Sequence, residues 1–155
     1  MAFLVFDTVN WMDGIPDKTP LTQLSIPGTH DSMAYNGNIR GTHKWMAECQ
    51  DNDLKWQLNN GIRYIDIRLK LKNGNLRGYH GPAKLGTWLN DVFDILVDFL
   101  TKNPSETVIM EYQWEGVPSN SDNAYHVVLK RKMKDRFQEY LRDHVPTNYR
   151  YSKNR

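Results

Sequence analysis

Two histidines, an arginine and two aspartates end or interrupt the predicted β-strands, and together they could do phosphate chemistry. They are His30, Asp31, Asp66, Arg68 and His80. A facing histidine pair can act as general base and general acid, because imidazole titrates near neutral pH. An arginine between them offers a planar fork for a phosphate. This combination fits cleavage of a phosphodiester by a hydroxyl of the substrate itself, with one histidine deprotonating that hydroxyl and the other protonating the leaving alkoxide.

Each of these side chains also has a purely structural interpretation, which the sequence leaves open. His30 could cap the turn that follows Pro27-Gly28, and His80 could be a hydrogen-bonded core histidine. Asp66 and Arg68, two residues apart on one strand face, could form a buried structural ion pair. Their occurrence together, at the ends of neighbouring strands, is what favours the catalytic interpretation.

Other site chemistries have less support from residue spacing. A zinc site needs several ligands at short range, and neither Cys-x-x-Cys nor His-x-x-x-His occurs. The single cysteine, Cys49, is therefore predicted to be a packing thiol with no basic neighbour close by in sequence. Glu111 and Glu115 could pair as glycosidase carboxylates, but the nearby histidine and arginine residues favour phosphate chemistry.

The elements that must position these side chains alternate between strands and amphipathic helices. Hydrophobic periodicity predicts strands at 21–26, 62–69, 76–80 and 108–113, and helices at 53–60, 87–102 and 125–144. Asn73-Gly74 predicts a hairpin turn, although a parallel arrangement is also compatible with it. The alternation favours βαβ units around a parallel sheet, whose strand C-termini converge on the face where sites form. We therefore expect the candidate residues to meet there.

Composition is that of a folded chain and leaves the compartment unknown, secreted or cytoplasmic. The 155 residues are 39% hydrophobic and include five Trp, eight Tyr and five Phe. No apolar run reaches the roughly 18 residues that cross a bilayer, and the apolar N-terminus is too short for a secretory signal. Residues 125–155 carry nine basic and three acidic side chains, which indicates an anion-facing surface or a solvated helix face. We expect no nucleic-acid partner.

Four motifs in a fixed order resemble the X domain of the phosphatidylinositol-specific phospholipase C family. They are Ile26-Pro-Gly-Thr-His-Asp-Ser32, Gln57–Arg68, Tyr79-His-Gly81 and Asn103–Met110. The likeness is closest to the single-domain bacterial type. It implies an α/β fold of TIM-barrel architecture, of which this chain would hold the N-terminal half, because a complete barrel typically needs about 250 residues. The expected divisions are an irregular segment at 1–20, the half barrel at 21–145 and a tail at 146–155.

The resemblance also implies a role for each candidate residue. His30 corresponds to the general base that takes the proton of the inositol 2-hydroxyl, and His80 to the general acid that protonates the diacylglycerol leaving group. Arg68 corresponds to the phosphate-binding arginine. Asp31 corresponds to the carboxylate assisting the acid, and Asp66 to a further site carboxylate. The first product would be a cyclic inositol phosphate.

One position departs from the family pattern and leaves calcium dependence open. On the 108–113 strand, the animal-type relatives place a calcium-binding Glu and the metal-independent bacterial type places a Lys, whereas Gln113 stands here. A neutral amide can bind phosphate or ligate a metal weakly, but it replaces neither charge. Glu111 shares its strand face and could supply a calcium ligand. We expect Gln113, Glu111 and Arg68 to bind substrate, with no required cofactor.

The resulting hypothesis is an enzyme of the phospholipase C type that acts on a membrane phospholipid and is peripheral to the membrane. The alternative is a catalytically inactive or truncated X-domain protein that binds phosphoinositide or anionic membranes. A glycerophosphodiester phosphodiesterase fits less well, because too few carboxylates surround the first histidine. Trp45, Trp56 and Trp114 are candidate interfacial anchors, whereas Trp88 lies on an apolar helical stripe. The open edges of a half barrel are expected to pair with the missing half or another chain.

Overall fold

The computed structural model describes residues 7–41 and 44–115, so the predicted helix at 125–144 and the tail at 146–155 lie outside the described residues. The elements, in chain order, are a 3-10 helix at Leu21–Gln23, β1 at Gly28–Thr29, β2 at Ile39–Arg40, α1 at Lys44–Ala47, α2 at Leu54–Asn59, β3 at Tyr64–Lys72, β4 at Asn75–His80, β5 at Ala83–Trp88, α3 at Leu89–Lys102 and β6 at Ile109–Trp114.

Strand β3 is the centre of a six-stranded mixed sheet. It pairs in parallel with β1 on one side and with β6 on the other. Its C-terminal part pairs antiparallel with β4, and the sheet continues antiparallel through β5 to β2. The expected parallel pairing is found for β1, β3 and β6, and the hairpin predicted at Asn73-Gly74 is confirmed, with β4 running antiparallel to β3.

The tight turn between β3 and β4 is the physical reason for that reversal. Asn73 and Gly74 both have positive φ angles, of 50° and 73°, and they join Lys72 to Asn75, which face each other in register. A two-residue turn of this kind matches the twist of an antiparallel pair. A parallel return would have needed a crossover of a dozen or more residues.

Helices α2 and α3 provide the crossovers between the parallel strands. Asp53 caps α2, and its Oδ1 accepts a hydrogen bond of 2.7 Å from the Trp56 N–H. The helix stops before Gly61, which has a φ of +96° that an L side chain would resist. Helix α3 ends at Lys102, before Asn103-Pro104. The structure confirms the predictions that α2 ends before Gly61 and that α3 ends before Asn103-Pro104.

The two faces of β3 separate the core from the site. Ile65, Ile67 and Leu69 have no exposed surface and join Leu58 of α2 and Val92 of α3 in one hydrophobic cluster. The intervening side chains of β3 point to the opposite face. The alternation along β3 therefore places its polar residues on one face of the sheet, while the helices cover the other face.

Two segments differ from their predicted structure. The strand predicted at 21–26 is wrong: residues 21–23 form a 3-10 helix, and β1 begins only at Gly28. A Cβ at Gly28 would lie 2.9 Å from the Cβ of Tyr64, so a glycine is needed where β1 approaches β3. The helix predicted from residue 87 begins at Leu89, because Thr87-Trp88 ends β5, a strand the sequence pattern did not indicate.

The N-terminal segment before the 3-10 helix contains neither helix nor strand among its described residues, yet it is anchored to the rest of the fold. Indole Nε1 of Trp11 donates a hydrogen bond of 3.0 Å to the carbonyl of Gly61. The backbone N–H of Met12, a buried residue, donates one of 3.0 Å to Oε1 of Glu106. Arg63 reaches the carbonyl of Val9. The segment therefore closes the end of the sheet opposite the strand C-termini.

Replacing Gly74 by alanine is expected to lower the free energy of unfolding by about 1–2 kcal/mol, because a Cβ is disfavoured at its positive φ. Nothing lies within 4 Å of a Cβ built there, so the effect is conformational rather than steric. Gly14→Ala is the matched control, since its Cβ position is equally open and its φ is not positive. Urea unfolding of both variants tests this, and equal stabilities would contradict it.

Candidate active site

The candidate residues meet at the C-terminal ends of the parallel strands. His30 and Asp31 follow β1 directly, Asp66 and Arg68 lie on β3, and His80 is the last residue of β4. Because Thr29 is level with Ile65, the next residue along β1 comes level with Asp66. The rings of His30 and His80 are perpendicular, with their centroids 6.2 Å apart. The predicted convergence of the two histidines is therefore observed.

A hydrogen-bonded loop fixes the chain that leaves β1. Ser32 donates its N–H to the carbonyl of Asp66 at 2.9 Å, and its Oγ accepts from the Asp66 N–H at 3.0 Å. Gln57, buried on α2, donates to the carbonyl of Ser32 at 2.9 Å and accepts from the hydroxyl of Thr29 at 2.7 Å. These contacts hold His30 and Asp31 against β3. Sequence reasoning assigned no role to Ser32 or Gln57, although both lie inside the motifs it singled out.

Asp66 links the histidine and the arginine. Its Oδ2 accepts a hydrogen bond of 3.0 Å from Nε of Arg68 and lies 3.3 Å from Nδ1 of His30. The same oxygen accepts from the Asp31 N–H at 3.0 Å. Both this contact and the one with Arg68 described below are made by Nδ1, so Nε2 is the ring nitrogen left available on a side chain that is 60% exposed.

Arg68 is held by two carboxylates, one on β3 and one directly after β6. Besides its bond to Asp66, it donates from Nη1 to Oε1 of Glu115 at 3.2 Å, and its Nη2 lies 3.2 Å from Nδ1 of His30. Burial alone would lower its pKa, but the hydrogen bond and charge of Asp66, with the charges of Asp31 and Glu115, outweigh burial and raise it. Arg68 is therefore a fixed positive charge beside His30.

Glu115 is the site residue whose place the sequence reasoning missed. Its Oε1 accepts from Arg68, and its Oε2 accepts from the Gly81 N–H at 3.0 Å, directly after His80. The carboxylate thereby connects β6, β3 and the end of β4. A signal for it existed: Glu115 immediately follows a strand parallel to β1, just as His30 follows β1.

Asp31 has the most unusual environment in the site. It is fully buried with a φ of 40°, and both of its carboxylate oxygens lack a hydrogen-bond partner. Burial raises its pKa to about 7, with the nearby Arg68 opposing the rise and Asp66 and Glu115 adding to it. Its side chain thus forms no hydrogen bond with His80, and the role implied for it as assistant to the acid stays a prediction.

The substitution Asp31→Asn is expected to remove a loss of folding stability that occurs as the pH rises. Below about pH 4 the Asp31 carboxyl is protonated in the folded and the unfolded chain. Between about pH 4 and 7 only the unfolded chain releases the proton, so stability falls as pH rises and levels off above about 7. The difference between about 7 and the ordinary 3.8 corresponds to at most about 4 kcal/mol.

Urea unfolding of the wild-type chain and Asp31→Asn at several pH values between 4 and 8 measures this effect. The variant is expected to lack that part of the decline, whereas Asp51→Asn, at an exposed position, is expected to retain it. Parallel stability–pH curves for the wild-type chain and Asp31→Asn would contradict the raised pKa.

His80 lies in a half-buried position beside α1, where Cys49 is its neighbour. Its Nδ1 is 3.1 Å from the carbonyl of Ala47 and 4.0 Å from Sγ of Cys49. Burial raises the pKa of the Cys49 thiol, and the charge of Asp31 adds to the rise. Cys49 has no basic residue close by in sequence, as noted above, but in space it is approached by a histidine that is 31 residues away along the chain.

Glu111 and Gln113 lie on the same face of β6, but further from the histidines. Gln113 is level with Arg68 and Glu111 with Asp66 in the parallel register. Gln113 donates to Oε1 of Glu111 at 3.3 Å, and the hydroxyl of Tyr64 donates to the other oxygen. The hydrogen bond from Tyr64 makes the largest contribution to lowering the pKa of Glu111, and the one from Gln113 adds to it. Both side chains are exposed, so their predicted contact with substrate remains a prediction.

An apolar opening borders the site at His80. A cavity of about 530 Å³ is lined by His80, by Pro82 of the adjoining turn and Ala83 of β5, and by Met46 of α1. On α1, Met46 is 62% exposed and Trp45 is 77% exposed. Trp56, on α2, is 50% exposed. None of the described helices is long and apolar enough to cross a membrane. Trp45, next to Met46 in the chain, is therefore the most exposed of the candidate anchors.

Taken together, these groups have the arrangement that general acid–base chemistry on a phosphate requires. Two imidazoles face each other, a charged guanidinium lies against one of them, and carboxylates hold the guanidinium in place. Within the described part of the chain, the groups that could hold a metal ion are one ring nitrogen of each histidine and the Cys49 sulfur, which lie within 4.8 Å of one another.

Comparison with known proteins agrees with this class of site. Residues 24–154 match the family model described as phosphatidylinositol-specific phospholipase C, X domain. A 1-phosphatidylinositol phosphodiesterase of Listeria monocytogenes is 48% identical over 119 residues, which cover 76% of this chain and 36% of the relative. A second, of Staphylococcus aureus strain Newman, is 29% identical over 143 residues, covering 92% and 42%. The chain belongs to the phosphatidylinositol-specific phospholipase C X-domain family.

The solved structures agree on the fold. The phosphatidylinositol-specific phospholipase C from Listeria monocytogenes superimposes with a TM-score of 0.66 at 40% identity, over 83% of this chain and 46% of that one. The predicted fold class, part of an α/β barrel of the phospholipase C type, is confirmed. The chain spans less than half the length of these two relatives and of the Listeria structure.

Proposed function

We propose that the chain carries the acid–base centre of a phosphatidylinositol-specific phospholipase C, which cleaves a phosphoinositide-like lipid to diacylglycerol and a cyclic inositol phosphate. The observation that carries the proposal is the arrangement of His30 and His80, whose rings lie 6.2 Å apart between centroids with Arg68 against the first. A phosphodiester seated there has a base on one side and an acid on the other. The names of the relatives support the choice of substrate class.

In this mechanism the nucleophile belongs to the substrate. His30 takes the proton of the inositol 2-hydroxyl, whose oxygen attacks phosphorus. The bond from phosphorus to the glycerol oxygen then breaks, and His80, protonated at the start, gives its proton to that oxygen. Arg68 stabilises the negative charge that develops on the phosphoryl oxygens, while Asp66 stabilises the imidazolium formed on His30, 3.3 Å away. Protons balance, with one histidine gaining the proton that the other loses.

We propose that this cleavage needs no metal cofactor. Arg68 places a permanent positive charge beside the base, and its carboxylate partners fix its position. That charge does the work that a bound cation would otherwise do for the phosphate. Gln113 and Glu111, engaged with each other and with Tyr64, would assist only in substrate binding.

We further propose that the protein acts as a peripheral membrane protein. Its lipid substrate would enter the site from the α1 side. The exposed Trp45 and Met46 and the apolar cavity beside His80 support this orientation. It places the leaving diacylglycerol next to the general acid. Within the described residues β6 pairs with β3 alone, and its other edge, on the strand that carries the exposed Tyr112, would pair with a further barrel segment of the same or another chain.

Release of inositol phosphate from phosphatidylinositol vesicles tests the function. The 155-residue chain should release it equally with calcium and with a calcium chelator, and His30→Ala should abolish release while vesicle binding persists. His126, far from the motifs in sequence, gives the matched control His126→Ala. Absence of turnover together with Arg68-dependent vesicle binding would contradict the enzyme and favour the non-catalytic alternative. Molar mass measured alongside the thermal transition tells whether a second chain is needed.

A further inference from the structure

Cys49 lies beside the two site histidines, and the proposed acid–base mechanism does not use it. Its sulfur is 4.0 Å from Nδ1 of His80, and it lies within 4.8 Å of a ring nitrogen of His30 as well. Imidazole nitrogen and thiolate sulfur together are the donor set that Zn²⁺ and related thiophilic cations prefer. We propose that His30, Cys49 and His80 form an inhibitory binding site for such a cation, which stops catalysis by occupying both imidazoles.

The spacing of the three ligands requires only a small adjustment. Bonds of about 2.1 Å to nitrogen and 2.3 Å to sulfur put the ligand atoms of a tetrahedral zinc site about 3.5 Å apart. The three atoms here already lie within 4.8 Å of one another. His30 is the ligand that can move, since its side chain is 60% exposed. Three protein ligands leave the fourth position for water.

The surroundings of His30 resemble those of a metal-ligating histidine. Such a histidine commonly donates its other ring N–H to a carboxylate or a backbone carbonyl, which fixes its tautomer. Nδ1 of His30 lies 3.3 Å from Oδ2 of Asp66 and 3.2 Å from Nη2 of Arg68, so Nε2 is the ring nitrogen left for the cation. On the opposite side, the Ala47 carbonyl lies 3.1 Å from Nδ1 of His80 and steadies the second ring.

The charges around the three ligands favour a cation. Asp66 and Asp31 are buried carboxylates at the site, and the oxygens of Asp31 have no hydrogen-bond partner. Arg68 opposes them with one positive charge. Cys49 and the histidines must release protons to bind a metal, so affinity should fall as the pH is lowered. Binding of the cation is independent of the proposed function, and only its inhibitory effect rests on that function.

A Cd²⁺ titration followed by thiolate-to-metal charge-transfer absorption tests the binding directly. Because Cys49 is the single cysteine of the chain, any such absorption reports on it alone. Cys49→Ala and the volume-conserving Cys49→Ser are both expected to abolish the absorption. His30→Ala and His80→Ala should each weaken Cd²⁺ binding at least ~10-fold, while His126→Ala leaves it unchanged. Absorption and affinity that survive loss of either site histidine would overturn the proposal.

The second arm measures the effect of Zn²⁺ on phosphatidylinositol cleavage as the ratio of rates with and without the ion. The wild-type chain should be inhibited, and Cys49→Ala should need at least ~10-fold more Zn²⁺ for the same ratio. Equal inhibition of both proteins would overturn the inhibitory site. If the chain binds Cd²⁺ through all three ligands but cleaves no lipid, the site stands and the proposed function fails. If the protein cleaves the lipid but does not bind Cd²⁺, the proposed function stands and the cation site fails.

Discussion

His80→Ala is expected to lower the rate of phosphatidylinositol cleavage by about 100- to 10 000-fold, which is the usual contribution of a positioned general acid. The glycerol alkoxide is a poor leaving group and cannot depart without a proton. His80 lies at the apolar cavity on the α1 side, and its ring faces that of His30. Initial rates on phosphatidylinositol vesicles measure the loss.

A substrate with an activated leaving group separates the acid from the base. An inositol phosphodiester of a nitrophenol releases a stable phenolate, so it needs no proton from His80. His80→Ala should then recover most of its rate on this substrate, whereas His30→Ala should stay inactive because the inositol hydroxyl still needs a base. Equal losses on both substrates for the two variants would contradict the assignment of acid and base.

Arg63→Met is expected to destabilise the chain by about 3–5 kcal/mol, although Arg63 precedes β3 at the end opposite the candidate site. Arg63 and Glu106 form an ion pair of 2.7 Å with no exposed side-chain surface on either partner. Arg63 also donates to the carbonyl of Leu58 and lies over the ring of Phe99, while Glu106 accepts from the Met12 N–H. Removing the cation leaves a buried carboxylate without its partner. The midpoint of urea unfolding should shift accordingly.

The surface ion pair of Lys102 with Asp98, four residues apart on α3, is the control for this prediction. Its N–O distance is 2.6 Å, but both side chains are about half exposed or more. Lys102→Met should cost only about 0.3–0.5 kcal/mol, because water screens the pair. Comparable losses for Arg63→Met and Lys102→Met would mean that the buried pair does not hold the N-terminal segment in place.

Local signals in the sequence were sufficient for α2, for the end of α3 and for the central strand. The Asp53 cap and Gly61 delimit α2, and Asn103-Pro104 ends α3. The alternation along β3 put Asp66 and Arg68 on one face, where they now form an ion pair of 3.0 Å. These features depend on residues within a few positions of one another, and for that reason a sequence pattern can report them.

The short strands and the direction of the strands were harder to predict from the sequence. Only two residues form β1, and their pairing depends on the close approach of Gly28 to Tyr64, which no local pattern records. Strand β5 lacks the β-branched run that marks a strand, and it forms because the turn at Gly81 returns the chain onto β4. In each case the partner strand, rather than the segment itself, decides the structure.

The sequence by itself determined which residue types are available for catalysis and in which order they follow the strands: His30, then Arg68, then His80. Only the tertiary structure decided that Glu115 holds Arg68, that Asp31 is buried with a raised pKa, and that Cys49 approaches His80. The physical reason is that hydrogen bonding, desolvation and metal ligation act over a few ångströms in space. The partners concerned are 47 residues apart along the chain for Arg68 and Glu115, and only the parallel pairing of β3 with β6 brings them together.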